Sequence, residues 1–138
     1  MLHKLKKRIK NQRGMTLVEL LAVIVILGII SAIAVPSIGG IINKTKKDAK
    51  VAEAVQIINA AKLYNSTNPT DHSMNNDDLE TYLDNVKDTK LDYIVTATPG
   101  TNGKLSYSIS GHDAGTIADK DGDGNLTEAE LLEYSGGN

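Results

Sequence analysis

Residues 15–35 read MTLVELLAVIVILGIISAIAV, and the reading of this stretch decides the fold. It holds one charge, Glu19, and only Thr16, Gly28 and Ser31 otherwise interrupt the apolar side chains. As a helix it spans about 31 Å, close to the hydrocarbon thickness of a bilayer. A helix apolar on every face is not what a small soluble domain needs. The flanks are unequal. Residues 1–14 carry Lys4, Lys6, Lys7, Arg8, Lys10 and Arg13 and no acid. The rest of the chain holds nine bases against 17 acids, so the formal net charge of -2 averages two opposite parts. The basic run is expected to stay cytoplasmic, and the remainder to lie outside.

Three processing fates fit these residues. The stretch can be a single-pass anchor. It can be a secretory signal peptide cut after the small-x-small pattern Ala32-Ile33-Ala34. Its length beyond the usual h-region, the early acid and the nearby Pro36 speak against that fate. The third fate accounts for Glu19. A carboxylate inside a membrane helix costs about 3 kcal/mol at mid-bilayer and marks a functional position with a partner. No base lies within a turn or two of it on the helix. An amino terminus created by cutting just before Met15 supplies that positive charge on a neighbouring chain.

Arg13-Gly14-Met15-Thr16-Leu17-Val18-Glu19, followed by the apolar run, resembles the processing motif of type IV pilins and related pseudopilins. The resemblance is specific over about residues 8–66. It implies that a prepilin peptidase cuts between Gly14 and Met15 and methylates the new amino terminus at Met15. It also implies that Glu19 meets the amino terminus of an adjacent subunit during assembly. Gly28 and Pro36 fall where that family often places a Gly and a Pro. Met15 departs from the Phe commonest there. The expected partners are further copies of the chain, the peptidase, the pilus assembly machinery and the cytoplasmic membrane. The expected end point is an extracellular filament used for adhesion or motility. A pseudopilin of type II secretion or DNA uptake, and a secreted calcium-binding module, are the alternatives.

The expected architecture is α+β. Residues 1–14 are a basic leader, 15–66 a long helix, and 67–138 a globular head. Within the helix, 15–35 is the membrane and assembly part and 36–66 is amphipathic. Ile38, Ile41, Ile42, Thr45, Ala49, Ala52, Val55, Ile58 and Ala61 recur at spacings of three and four and predict its packed face. Pro36 can kink it. Lys44, Lys46, Lys47 and Lys50 lie on the other side, either solvated or paired with acids of neighbouring subunits. Asn65–Asn76 reads as a polar loop and Asp77–Leu83 as a short helix. Leu91–Thr98 and Leu105–Ser110 alternate and flank Pro99-Gly100-Thr101-Asn102-Gly103, which predicts a β-hairpin. A third strand is expected near Thr116–Ala118.

Asp119-Lys120-Asp121-Gly122-Asp123-Gly124-Asn125-Leu126-Thr127-Glu128-Ala129-Glu130 matches a twelve-residue EF-hand loop. Asp119, Asp121 and Asp123 take positions 1, 3 and 5, and Gly124 the sharp turn at position 6. The Asn125 carbonyl takes position 7, Thr127 acts through water at position 9, and Glu130 takes position 12. Leu126 is the apolar residue that packs inward. Such hard oxygen donors predict one Ca²⁺. No long entering helix and no second loop are visible, so a structural site of about 10⁻⁴–10⁻³ M affinity is expected rather than a sensor. Many pilins staple this region with a disulfide, and this chain has no Cys. Related pseudopilins of secretion systems bind calcium near the carboxy terminus.

Other functions find no support. Asp71-His72-Ser73 lacks a nucleophile elbow, and there is no P-loop or dinucleotide fingerprint. An enzyme is not expected. The chain has no Trp and no Phe, and from Leu63 onward 14 acids face four bases, which disfavours nucleic acid.

Overall fold

The computed structural model describes the backbone of residues 2–83 and 92–136, and side chains within these from Thr16 onward. The chain divides into two compact units, Met1–Asn43 and Lys44–Asn138.

In the first unit the backbone is helical, as part of helix α1 (Leu2–Thr67). The helix therefore begins well before the expected start at Met15. The helix runs unbroken through Pro36, since a single proline removes only one hydrogen bond from a long ladder. From Thr16 to Asn43 every side chain is exposed except that of half-buried Ala34. Leu17, Ile24, Ile29 and Ile33 stand among the large apolar residues left open. Among the described residues, this is the one helix long and apolar enough to cross a membrane.

In the second unit α1 packs on a four-stranded antiparallel sheet of order β1-β2-β3-β4. The strands are β1 (Ser73–Asn75), β2 (Ile94–Pro99), β3 (Leu105–Ser110) and β4 (Asn125–Thr127). The hairpin is where the alternation places it, with Ile94 opposite Ser110 and Pro99 opposite Leu105. Its turn closes by Gly100 N–H to the Lys104 carbonyl at 2.9 Å and Gly103 N–H to the Gly100 carbonyl at 3.1 Å. Gly103 sits at a φ of 71°. That left-handed conformation favours glycine. Leu91, the expected start of the first strand, lies outside the described residues.

One row of side chains runs across all four strands: Met74, Val95, Ile109 and Leu126, each opposite the next. All four are buried, and they share the core with Val51, Ala54, Ile57, Ile58 and Ala61 of α1. Burying each large aliphatic side chain is worth about 1.5–3 kcal/mol. The row explains why residues of low strand propensity still pair at both sheet edges. β1 lies inside the segment read as loop, and β4 inside the segment read as a metal loop.

Three further expectations need correction. The packed face of α1 starts only at Val51; Ile38, Ile41, Ile42, Ala49 and Ala52 are exposed. The buried stripe is Val51, Ala54, Ile57, Ile58, Ala60, Ala61 and Asn65; of the expected line Ile58 and Ala61 belong to it, Val55 is half-buried, and the earlier positions turn away. Thr116–Ala118 is not a strand but part of one helical turn, α3 (Gly115–Ala118). Local polar bonds bend the chain there: His112 Nδ1 accepts the Ala114 N–H at 3.0 Å, and Thr116 Oγ1 donates to the Asp113 carbonyl at 2.9 Å. The helix expected over Asp77–Leu83 is shorter, α2 (Asn76–Leu79) continued by a 3₁₀ turn at Glu80–Tyr82. Its start is a capping box in which Asn75 accepts from Asp77 and Asp78, and Asp78 accepts from Asn75.

Candidate metal centre and assembly segment

The acidic loop hangs between two fixed points. Before it, Ala118 of α3 is buried; within it, Leu126 is buried as the central residue of β4. The β3 strand takes the pairing role that a second loop would supply. After it, α4 (Glu128–Gly136) buries Leu131 and is tied to α1. Tyr134 Oη donates to Asp48 Oδ1 at 3.3 Å, and Lys62 forms an ion pair with Glu128. The Lys62 ammonium also stands 5.7 Å from the centre of the Tyr107 ring. A cation at that distance from an aromatic face is attracted by the ring quadrupole. An open groove of about 630 Å³ runs beside the loop, lined by Lys44, Asp48, Val51, Ala118, Lys120 and Tyr134 among others.

The chain brings Asp119, Asp121 and Asp123 together, with one ligand oxygen of each within 4.8 Å of the others. Gly122 and Gly124 stand at φ of 74° and 81°. Glycine reaches this region without steric cost, which allows the tight winding the loop needs. Asp119 Oδ1 accepts the Gly122 N–H at 2.7 Å and Oδ2 the Gly124 N–H at 3.0 Å. These two bonds hold the Asp119 carboxyl below its ordinary range. Asp121 is displaced upward. The Asp123 N–H lowers it, but its hydrogen bond with Asp119, partial burial and the charges of Asp123 and Glu130 outweigh that. Asn125 N–H donates to Asp123 Oδ1 at 2.7 Å. A ring of carboxylates this close is a set of hard donors, which suits a cation such as Ca²⁺ better than a soft metal.

Glu130 and Thr127 are placed differently from the three aspartates. Thr127 N–H and Oγ1 both donate to Glu130 Oε2, at 2.8 and 2.6 Å, and Glu130 N–H returns to Thr127 Oγ1 at 3.3 Å. That is a capping box at the start of α4, and the spacing T-x-x-E announces it in the sequence. It lowers the Glu130 carboxyl, chiefly through the Thr127 hydroxyl and then the Thr127 N–H. Glu130 Oε1 accepts the Lys120 N–H at 3.4 Å, which closes the loop on itself. Lys120 is also paired with Glu133. Sequence reasoning assigned Thr127 and Glu130 to metal alone and missed this second role.

The residues expected to act in processing and assembly lie in the other unit. Gly14 and Met15 are helical in backbone, and their side chains are outside the described residues. Glu19 is exposed on α1 and makes no hydrogen bond or ion pair among the described residues. It stands in a stretch whose neighbours Leu17, Val18, Leu20 and Val23 are all apolar and open.

Residues 9–35 match the family profile of the prokaryotic N-terminal methylation motif. Over that segment the chain is similar to type IV pilin-like proteins. Curated relatives carry the description type II secretion system core protein G. The one from Escherichia coli (strain K12) is 38% identical over 58 residues, which are 42% of this chain and 40% of that protein. The one from Vibrio cholerae serotype O1 is 37% identical over 67 residues, 46% of each. The one from Dickeya chrysanthemi is 39% identical over 64 residues, 44% of this chain and 42% of that protein. The chain thus spans less than half the length of the curated relatives it matches. No solved structure matches.

Proposed function

We propose that the chain is a structural filament subunit of the pseudopilin kind. It is made as a membrane-anchored precursor, cut between Gly14 and Met15, methylated at Met15 and polymerised through α1. One observation carries the reading: an exposed apolar helix holding a lone acid, Glu19, within a methylation motif. Cleavage removes the six leader bases and with them the cytoplasmic stop. The helix can then leave the bilayer if identical helices receive it. Glu19 selects the stagger, because a buried carboxylate without its partner is strongly penalised. The amino terminus of the adjacent copy is that partner.

The names of the relatives favour a type II secretion pseudopilus over the surface pilus expected first. The role is one of structure, with further copies, the peptidase and the membrane-bound assembly machinery as partners. The loop Asp119–Glu130 holds Ca²⁺ through Asp119, Asp121 and Asp123, helped by the Asn125 carbonyl and by Thr127 and Glu130. A bound cation removes the mutual repulsion of these carboxylates and fixes α4 against the head. Glu130 must release its capping bonds to Thr127 if it is to bind through both oxygens.

Expression beside a functional assembly system tests the role. Glu19→Ala should leave processing intact and abolish sheared filaments. Deleting the chain should stop protein secretion if it serves a secretion pseudopilus, and remove surface fibres alone if it serves a pilus. Filaments formed normally by Glu19→Ala would refute the assembly role.

A further inference from the structure

Three lysines of α1 stand apart from the others. Lys50 is paired with Asp113 at 2.9 Å, and Lys62 and Lys120 are paired with Glu128 and Glu133. Lys44, Lys46 and Lys47 are exposed, and their ammonium groups meet no acid among the described residues. They are also the first bases after the apolar run, since no charged residue occurs between Glu19 and Lys44. The nearest acid in sequence, Asp48, is engaged by the Tyr134 hydroxyl, and the segment 44–48 keeps an excess of two positive charges.

Their distribution around the helix points to the partner. At 3.6 residues per turn, Lys44, Lys47 and Lys46 spread over roughly 160° of the α1 circumference. That arc is one broad side of the helix, wider than a single stripe, and it follows the apolar run directly, so in a membrane-inserted helix it stands at headgroup level, where long lysine stems reach phosphates over a range of azimuths. We propose that Lys44, Lys46 and Lys47 form a collar that binds the phosphates of anionic phospholipids at the outer membrane face. The collar fixes the depth of the subunit once the leader bases are gone. This rests on the membrane reading of α1 given above.

The full chain, placed one copy per lipid nanodisc, tests the collar by amine acylation read lysine by lysine by mass spectrometry. Discs of phosphatidylcholine alone are compared with discs also containing phosphatidylglycerol. Acylation of Lys44, Lys46 and Lys47 should slow by about five-fold each in the anionic discs. Lys104, exposed in the hairpin turn, should be unchanged. The protection should vanish at about 1 M salt, where the Debye length is about 3 Å. Equal rates in both discs overturn the proposal, as does protection that needs two copies per disc or is reproduced by inorganic phosphate in neutral discs. Co-purification of the chain with the disc reports the membrane anchor separately, so the two readings fail independently.

Discussion

Leu126 faces Ile109 across the β3–β4 register, and each is about 1% exposed. The apolar residue of the acidic loop is therefore also a strand residue of the head core. Loop and core are joined at one side chain, so what happens in the loop is felt by the sheet.

Leu126→Ala should cost about 2–5 kcal/mol, as large-to-small core changes do. Denaturant unfolding of the full chain in detergent checks this. The same substitution should weaken calcium binding, since it frees the loop from β3. A change within about 0.5 kcal/mol would mean that β4 is not part of the core.

Calcium should raise the unfolding temperature of the head. At a hundred times its dissociation constant it should add about 2.7 kcal/mol. Asp119→Ala should abolish this response, because Asp119 organises the loop through Gly122 and Gly124 as well as offering an oxygen. Calorimetry with calcium and with chelator reads both. Unaltered calcium stabilisation in Asp119→Ala would remove the loop from the account.

Thr127→Ala removes a cap from α4 and should cost about 1 kcal/mol in chelator. With calcium present the loss should grow, because the Glu130 N–H still needs the Thr127 hydroxyl and the substitution then also removes the oxygen Thr127 offers the cation through water. Equal losses under both conditions would show that Thr127 does not serve the cation.

Alkali should loosen the head. Partial burial, then the charge of Asp48 and the hydrogen bond to it, raise the Tyr134 hydroxyl above its ordinary value. Partial burial and Asp71 do the same to Tyr64. A raised folded value means stability that is complete below about pH 10, the unfolded value, and lost as pH climbs through the folded one. Tyr134→Phe should flatten the alkaline decline measured by pH-dependent unfolding, and an unchanged slope would contradict this origin.

The fold is legible where pattern is strong. Tyr93, Val95 and Ala97 alternate inward with Tyr107 and Ile109, and a turn-rich stretch separates them, so the hairpin follows from period and punctuation. β1 is hidden because it has one apolar residue, Met74, amid polar neighbours, and only pairing with Val95 makes it a strand. The buried stripe of α1 is hard to place because alanines are uninformative. Ala52 and Ala54 are alike in sequence, and only the position of the sheet buries one and exposes the other. At the loop, the ligand spacing is evident, yet the same T-x-x-E letters encode a helix cap. The cap is the role the structure shows, and the second role belongs to the proposed cation. At Gly14-Met15 and Glu19 the reading comes from the motif itself, before any fold is known.

Intact mass and amino-terminal sequencing of the mature protein, from cells that carry a prepilin peptidase, test the central claim most directly. The account predicts a chain beginning at Met15 with a methylated amine. A chain that keeps residues 1–14, or one that begins at Val35 after a signal-peptide cut, would contradict it.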